Sequence, residues 1–301
     1  MTPYAFFGAL EAGLLFGIVA IAVYVSFRIL DFPDLTVDGS FPLGAAVSAL
    51  MIVSGFNPFL ATGCGILAAA AAGALTGLLT VRLGFLDLLS GILVMIALYS
   101  INLRIMGRPN IALIGEPTVF TPFEQLGFKS NTAILLVLMA VVVVVATLVS
   151  RFLLSEIGLA LRATGANARM AAANGVNVRH ATIVGLTVSN GLVGLAGALF
   201  AQSQGAADVA MGIGTIIIGL AAVILGESIL PGTGVVRAVV AVVIGTIVYR
   251  LAVALALNSD LLGLKSQDLN LITAVLVVVA LLAPRLRRGL RRGIFAAEAR
   301  R

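Results

Sequence analysis

Few residues of this 301-residue chain have the types and spacing that catalysis or nucleotide binding requires. A phosphate-binding loop has the pattern Gly-x-x-x-x-Gly-Lys-Ser/Thr, whereas the two lysines, Lys129 and Lys265, follow phenylalanine and leucine. The single histidine, His180, and the single cysteine, Cys64, supply neither a set of metal ligands nor an internal disulfide. We therefore expect no cofactor or metal site in this chain, and no ATP hydrolysis by it alone.

Two acidic residues in apolar sequence, Glu11 and Glu227, are the remaining candidates for chemistry. Ionisable groups inside membrane-spanning segments are costly and are therefore functional hypotheses by default. An intramembrane enzyme built on these carboxylates is one interpretation. Glu227 stands beside Ser228 and Pro231 at the end of an apolar run, however, which indicates the cytoplasmic end of a helix.

The composition excludes a soluble globular domain. Hydrophobic residues make up 60% of the chain and charged residues 11%, whereas about a quarter of the residues in soluble domains are charged. The net charge of +6 does not indicate nucleic-acid binding, because the arginines cluster in short loops beside apolar segments. The chain is predicted to be an all-α, polytopic transmembrane bundle that forms a single domain over residues 1–301.

A transmembrane helix requires about 20 mostly apolar residues, or fewer where the helix is short or broken. Gly and Pro in the stretches 37–44 and 211–214 predict two helix breaks at membrane depth. Such breaks are tolerated only where the backbone packs against protein or lines a water-filled cavity, so both are expected to border any pathway through the bundle. Nine spans are predicted, at 4–29, 41–55, 58–81, 86–103, 131–150, 181–204, 209–226, 237–257 and 269–284.

The loops between these spans differ in their content of Lys and Arg. Fourteen of these residues fall on one side and five on the other, which together account for all 19. Because basic loops stay in the cytoplasm, the N-terminus is predicted outside, with segment 155–180 and the basic tail 285–301 inside. The external loop 106–130 is either a surface for an extracytoplasmic binding protein or a packed, partly re-entrant loop.

Segment 155–180 interrupts the apolar sequence with a structured polar stretch. Asn167 suits the N-cap of a helix over 168–174, and Gly175 suits the left-handed position that ends one. A helix of about two turns is unstable alone in water and needs a partner surface, which we predict to be another protein. The residues assigned to this docking element are Gly165, Asn167, Arg169, Met170, Ala172, Asn174 and Gly175.

Other residues in or near the spans could line a pathway for a small solute. For the polar ones, a hydrogen bond between helices is the alternative interpretation. The candidates are Glu11, Ser40, Tyr99, Asn190, Gln204, Met211 and Tyr249.

Nearly the whole chain resembles the permease subunits of ABC importers of the branched-chain amino acid and ribose type, and most of all the tryptophan/tyrosine transport permeases. The resemblance is carried by Gly158-Leu-Ala-Leu-Arg-Ala-Thr-Gly-Ala-Asn, Ala172-Ala-Asn-Gly-Val-Asn-Val, Ser189-Asn-Gly-Leu-Val-Gly-Leu-Ala-Gly-Ala and Ala201-Gln-Ser-Gln-Gly-Ala-Ala-Asp-Val. Further matches are Thr36-Val-Asp-Gly-Ser-Phe, Met211-Gly-Ile-Gly-Thr and Gly219-Leu-Ala-Ala-Val-Ile-Leu-Gly-Glu.

This resemblance implies an importer in the bacterial cytoplasmic membrane, in which segment 155–180 is a coupling helix. The implied partners are a second copy of the chain, two cytoplasmic ATPases that bind ATP and Mg, and an external substrate-binding protein. The implied substrate is a hydrophobic or aromatic amino acid, or a related small solute. A passive channel or facilitator is the rival interpretation, but it would not need a structured segment at 155–180.

Overall fold

The computed structural model describes residues 3–125, 130–232 and 234–257, together with positions 275 and 278. Two short strands, β1 (Asn110–Ala112) and β2 (Ala206–Asp208), pair antiparallel. The helices described are α1 (Pro3–Val23), which continues into a π-helical turn (Tyr24–Ile29), α2 (Val37–Val53), α3 (Pro58–Leu83), α4 (Asp87–Met106), α5 (Thr121–Gln125), α6 (Ser130–Leu154), α7 (Glu156–Ala166), α8 (Ala168–Ala173), α9 (Val178–Gln204), α10 (Thr215–Ile229) and α11 (Val235–Leu257).

The predicted all-α polytopic bundle is confirmed. Six helices in the described ranges are long and apolar enough to cross a membrane, namely α1 with its π-helical turn, α3, α4, α6, α9 and α11. The apolar helices α2 and α10 are shorter. These eight helices overlap eight of the nine predicted spans. The ninth, 269–284, lies outside the described residues except for positions 275 and 278, as does the whole basic tail 285–301.

Of the two predicted helix breaks, one is present and one is wrong. Residues 210–214 are not helical, and Gly214 has a φ of +82°, so α10 begins only at Thr215 rather than at Val209. The stretch 37–44, by contrast, is continuous helix, and α2 begins four residues before the predicted start at Phe41. Pro42 is tolerated there because it removes only one hydrogen bond, to the carbonyl of Asp38 in the first turn, and its fixed φ is helical.

Loop 106–130 is more ordered than the sequence predicted, since it contains β1 and α5. The strand pairing places the end of α4 beside the end of α9, because β1 follows the first and β2 the second. We call this end of the bundle the ribbon end. The opposite end, where α7 and α8 lie between α6 and α9, is called the α8 end.

The centre of the bundle is α9, which packs most extensively against α3 and α2. Glycine makes this approach possible: a Cβ at Gly44 would overlap the backbone of Gly194, and one at Gly197 would overlap the carbonyl of Phe41. In lipid no hydrophobic force drives helices together, so close backbone packing through small residues supplies much of the association.

The bundle contains two similar halves of opposite direction. In the first, α1 leads to the short α2 and then to α3; in the second, α9 leads to the short α10 and then to α11. Helix α1 with its π-helical turn ends at the α8 end, where Gly165 packs on Ile29, and α9 begins at that end, so these two corresponding helices run in opposite directions. Their contacts also correspond, since α3 packs on α9 as α11 packs on α1, and α2 packs on α9 as α10 packs on α1. Inverted repeats of this kind place short, discontinuous helices near the middle of transporters.

Candidate functional site

The two short helices meet inside the bundle, where the carboxylate of Asp38 joins them. Asp38 belongs to the first turn of α2, and its Oδ2 accepts the backbone N–H of Gly214 at 3.1 Å. Its Oδ1 accepts the N–H of Ile216 at 2.9 Å. An acidic group at a helix N-terminus satisfies unpaired N–H groups and favours the helix dipole. Asp38 of one half therefore caps the short helix of the other.

The two backbones approach closely at this junction. A Cβ at Gly212 would overlap the carbonyl oxygen of Asp38 and lie 2.5 Å from the ring of Pro42. That carbonyl lacks its usual helical donor because residue 42 is proline. Gly39 in turn packs against Leu98 and Met95, which lie near the middle of α4. The junction is therefore about halfway along the spans.

A cavity of about 390 Å³ lies beside the junction, between the start of α2, the middle of α4 and the segment before α10. Its wall is largely apolar, with a few polar groups from α2 and α4. The lining residues are Asp38, Gly39, Pro42, Met95, Ile96, Tyr99, Ser100, Asn102, Val209 and Ile213. Of the seven residues predicted for a pathway, only Tyr99 is among them.

A second carboxylate, the buried side chain of Asp34, fixes the loop that leads into α2. It is 1% exposed, accepts the N–H of Thr36 at 3.0 Å and accepts Nδ2 of Asn190 at 2.6 Å. The hydroxyls of Thr36 and Thr76 lie 2.7 Å apart, which ties the same loop to α3. Asn190, predicted as a pathway candidate, is thus fully buried in a contact between α9 and the loop before α2.

A similar polar contact holds the ribbon end together around Gln202. Its Nε2 donates to the hydroxyls of Ser48 at 3.1 Å and Thr62 at 2.9 Å, and its Oε1 accepts the N–H of Val119 at 2.9 Å. One side chain therefore links α9 to α2, α3 and the loop before α5. The predicted candidate Gln204 lies two residues further on, exposed at the last position of α9.

The other pathway candidates lie away from the cavity. Ser40 and Tyr249 are buried within helix contacts, with exposures of 0% and 1%. Met211 packs between two core clusters, and Glu11 is half-buried in α1. Sequence reasoning did not select Asp34 or Asp38, although two carboxylates four residues apart at the start of a short apolar run are the signal that could have found them.

Glu227 lies at the α8 end, where it accepts a hydrogen bond from Nε of Arg28 at 2.7 Å. This ion pair joins the end of α10 to the π-helical turn beside a cavity of about 440 Å³. Glu11 precedes Arg28 by 17 positions in α1 and its π-helical turn, which is about 25 Å at the helical rise of 1.5 Å per residue. The two carboxylates therefore do not form one site.

The predicted helix in segment 155–180 is present as α8, although it ends at Ala173 rather than Asn174. Asn167 has the extended φ of −164° and caps it, since its Oδ1 accepts the N–H of Met170 at 3.0 Å. Gly175 has a φ of +85°, as its predicted left-handed position requires. Asn174 adds a hydrogen bond from its Nδ2 to the carbonyl of Met170 at 2.8 Å.

This segment is anchored through α7 and exposed at α8. Leu161 of α7 is fully buried in a cluster with Leu30, Phe32 and Leu186, and Gly165 packs directly on the carbonyl of Ile29 in the π-helical turn. In α8 only Ala171 is buried. The remaining members of the predicted docking element around it, Asn167, Arg169, Met170, Ala172, Asn174 and Gly175, are exposed.

The described part of the chain is an apolar helical bundle in which two short helices meet beside a cavity. This is the architecture of a multi-pass membrane transport protein. Residues 5–282 match the family model described as "Branched-chain amino acid transport system / permease component". The chain belongs to this family of inner-membrane permeases, and the resemblance seen in its sequence is thereby confirmed.

Two relatives cover most of the chain. It is 39% identical over 270 residues to the tyrosine transport system permease protein of Clostridioides difficile (strain R20291), which covers 90% of this chain and 88% of that protein. It is 33% identical over 277 residues to an uncharacterized protein of Rickettsia prowazekii (strain Madrid E), covering 91% and 95%. No solved structure matches the chain significantly.

Proposed function

We propose that this protein is the membrane-spanning permease of an ATP-driven, binding-protein-dependent importer for hydrophobic or aromatic amino acids or a related small solute. The observation that carries the proposal is the exposed, well-capped helix α8. Its Met170 is 66% exposed, and a helix of six residues is too short to be stable without a partner surface. The partner we infer is a cytoplasmic ATPase, which binds ATP and Mg.

The contacts of α8 supply a route by which such a partner would move the transport site. Helix α7 rests on the π-helical turn through Gly165, and that turn is joined to the end of α10 by Arg28 and Glu227. The N-terminus of α10 is capped by Asp38 at the central cavity. A displacement of α8 would thus reach the cavity through packed helices, which is how shear between rigid elements transmits a conformational change.

The proposed substrate class rests on the tyrosine transport permease relative and on the apolar wall of the cavity, to which Met95, Ile96 and Ile213 contribute. A second copy of the chain completes the pathway in this proposal, with the twofold axis along the route. A binding protein would dock at the ribbon end, where Ile114 is 88% exposed.

Uptake of labelled L-tyrosine into proteoliposomes tests this proposal directly. We expect accumulation only when the permease, the ATPase subunit, the binding protein and ATP are all present. The purified permease alone should hydrolyse no ATP, because its sequence contains no phosphate-binding loop. Equilibration of tyrosine by the permease alone would instead identify a passive facilitator and contradict the proposal.

The topology that we propose has nine spans, with the N-terminus outside and the C-terminus in the cytoplasm. An epitope inserted next to Ile114 should be cleaved by protease added to intact cells, because the loop after β1 would face outward. An epitope placed after Arg301 should be protected until the cells are opened. The reverse pattern, or cleavage of both epitopes in intact cells, would refute this topology.

A further inference from the structure

We propose that the cavity beside the α2–α10 junction binds the protonated amine of the transported solute, with Asn102 and Asp38 as its hydrogen-bond acceptors and the apolar wall against the rest of the molecule. This site rests on the proposed function, since it names the chemistry by which the pathway would hold an amino acid or amine. The argument depends on which polar groups at the cavity are already paired.

Asn102 provides an unpaired acceptor. The residue is fully buried at the cavity wall, and its Nδ2 donates to the carbonyl of Gly39 at 3.2 Å. Its Oδ1 has no hydrogen-bond partner in the described part of the chain. This oxygen has almost no accessible surface, so a ligand reaches it only when the Asn102 side chain turns toward the cavity. A buried amide oxygen without a partner is unfavourable, and a ligand with an N–H donor would then relieve that cost.

Asp38 adds a second acceptor with a negative charge. Its two oxygens each accept one backbone N–H of α10, but an ionised carboxylate has about four acceptor positions. Among the residues that line this cavity in the described structure, no Lys, Arg or His balances it. A cationic group is therefore favoured over an anionic one.

The helix N-termini at the junction do not reverse this preference. Helix N-termini attract anions through their free N–H groups, but the cap by Asp38 occupies those of Gly214 and Ile216. At the start of α2, the N–H groups of Asp38, Gly39 and Ser40 donate to the carbonyls of Leu35 and Thr36. Few free N–H groups therefore remain at the junction to bind a carboxylate.

The remaining wall fits an apolar body. Met95, Ile96 and Ile213 line the cavity together with the ring of Tyr99, and the volume of about 390 Å³ lies in the range of small-molecule sites, which is roughly 300–1,000 Å³. An aromatic or branched amine would place its ring or chain on these residues and its ammonium group between Asn102 and Asp38.

The proposal is tested on the purified permease in lipid nanodiscs, without ATPase or binding protein, by saturation-transfer NMR. Two probes differ only in the group at issue: tyramine has the amine and lacks the carboxylate, and 3-(4-hydroxyphenyl)propionate has the carboxylate and lacks the amine. Tyramine should bind about tenfold more tightly than 3-(4-hydroxyphenyl)propionate, because one charge-assisted hydrogen bond usually changes an affinity by that factor. Equal binding of the two probes, or no binding of tyramine, would overturn the proposed site.

A variant locates the site. Asn102→Leu has a similar volume and lacks the acceptor, so tyramine binding should weaken about tenfold. Thr147→Val, which removes a hydroxyl on the exposed face of α6, should leave it unchanged. Unaltered tyramine binding by Asn102→Leu would refute the site. Because these measurements need no ATP-driven uptake, failure of the importer proposal would be seen separately, in the proteoliposomes.

Discussion

Tyrosine uptake should be lost, and the ATPase subunit should no longer co-purify, when Asn167→Ala and Gly175→Val are combined in the permease. Asn167→Ala removes the side chain that caps α8, which costs about 1 kcal/mol. Gly175→Val places a β-branched residue at a φ of +85°, a backbone conformation that it rarely adopts. Because α8 has only six residues, we expect it to unfold when the N-cap bond is removed and the residue after its C-terminus is strained.

The same pair of residue types at the ribbon end provides a matched control. Asn57 caps α3 by accepting the N–H of Phe59 at 2.9 Å, and Gly55 has the same φ of +85°. The double variant Asn57→Ala with Gly55→Val should keep the ATPase subunit bound. Val143→Leu, on an exposed position of α6, should retain both binding and uptake.

Membrane insertion and detergent-soluble yield should be normal in all three proteins, because none of the changes lies in a buried contact. If the Asn167/Gly175 variant transports normally, α8 is an ordinary loop helix and the strongest structural support for an ATPase partner is lost. If both double variants lose the ATPase, strain at helix ends rather than the docking surface would explain the result.

Gly44→Ala should strongly destabilise the bundle, although it adds only one methyl group. The new Cβ would overlap the backbone of Gly194, so α2 and α9 would have to separate. Overpacking of a tight core costs typically about 1–3 kcal/mol and sometimes more, and here the obstacle is backbone that cannot change rotamer. We expect a clear fall in the temperature at which the purified protein loses its monodisperse gel-filtration peak.

Gly63→Ala is the matched control for this loss. Gly63 lies in the neighbouring helix α3, and a Cβ there would meet no atom within 4 Å. Alanine is favoured over glycine inside a helix by roughly 0.5–1 kcal/mol, so this variant should be as stable as the parent or slightly more. Equal stability of the two variants would show that α2 and α9 do not touch through their backbones.

Structural features that are set by residues close together in the sequence could be predicted well. The spans follow from hydropathy over about 20 residues. The ends of α8 follow from Asn167 and Gly175, because an N-cap bond reaches only three residues along the chain. The start of α2 was less predictable, since a proline in the second turn of a helix resembles a break in sequence.

The sequence by itself therefore determined that this is a polytopic helical membrane protein, where most of its helices lie, and that a capped polar helix interrupts them. Only the tertiary structure decided which polar groups meet. Asp38 caps Gly214 from 176 positions away, and Asn190 pairs with Asp34 from 156 positions away. No local sequence pattern therefore distinguishes Tyr99, which lines the cavity, from Asn190, which is buried against the loop before α2. The physical reason is that buried polar groups are satisfied by whichever partner the packing of α2, α9 and α10 brings within reach.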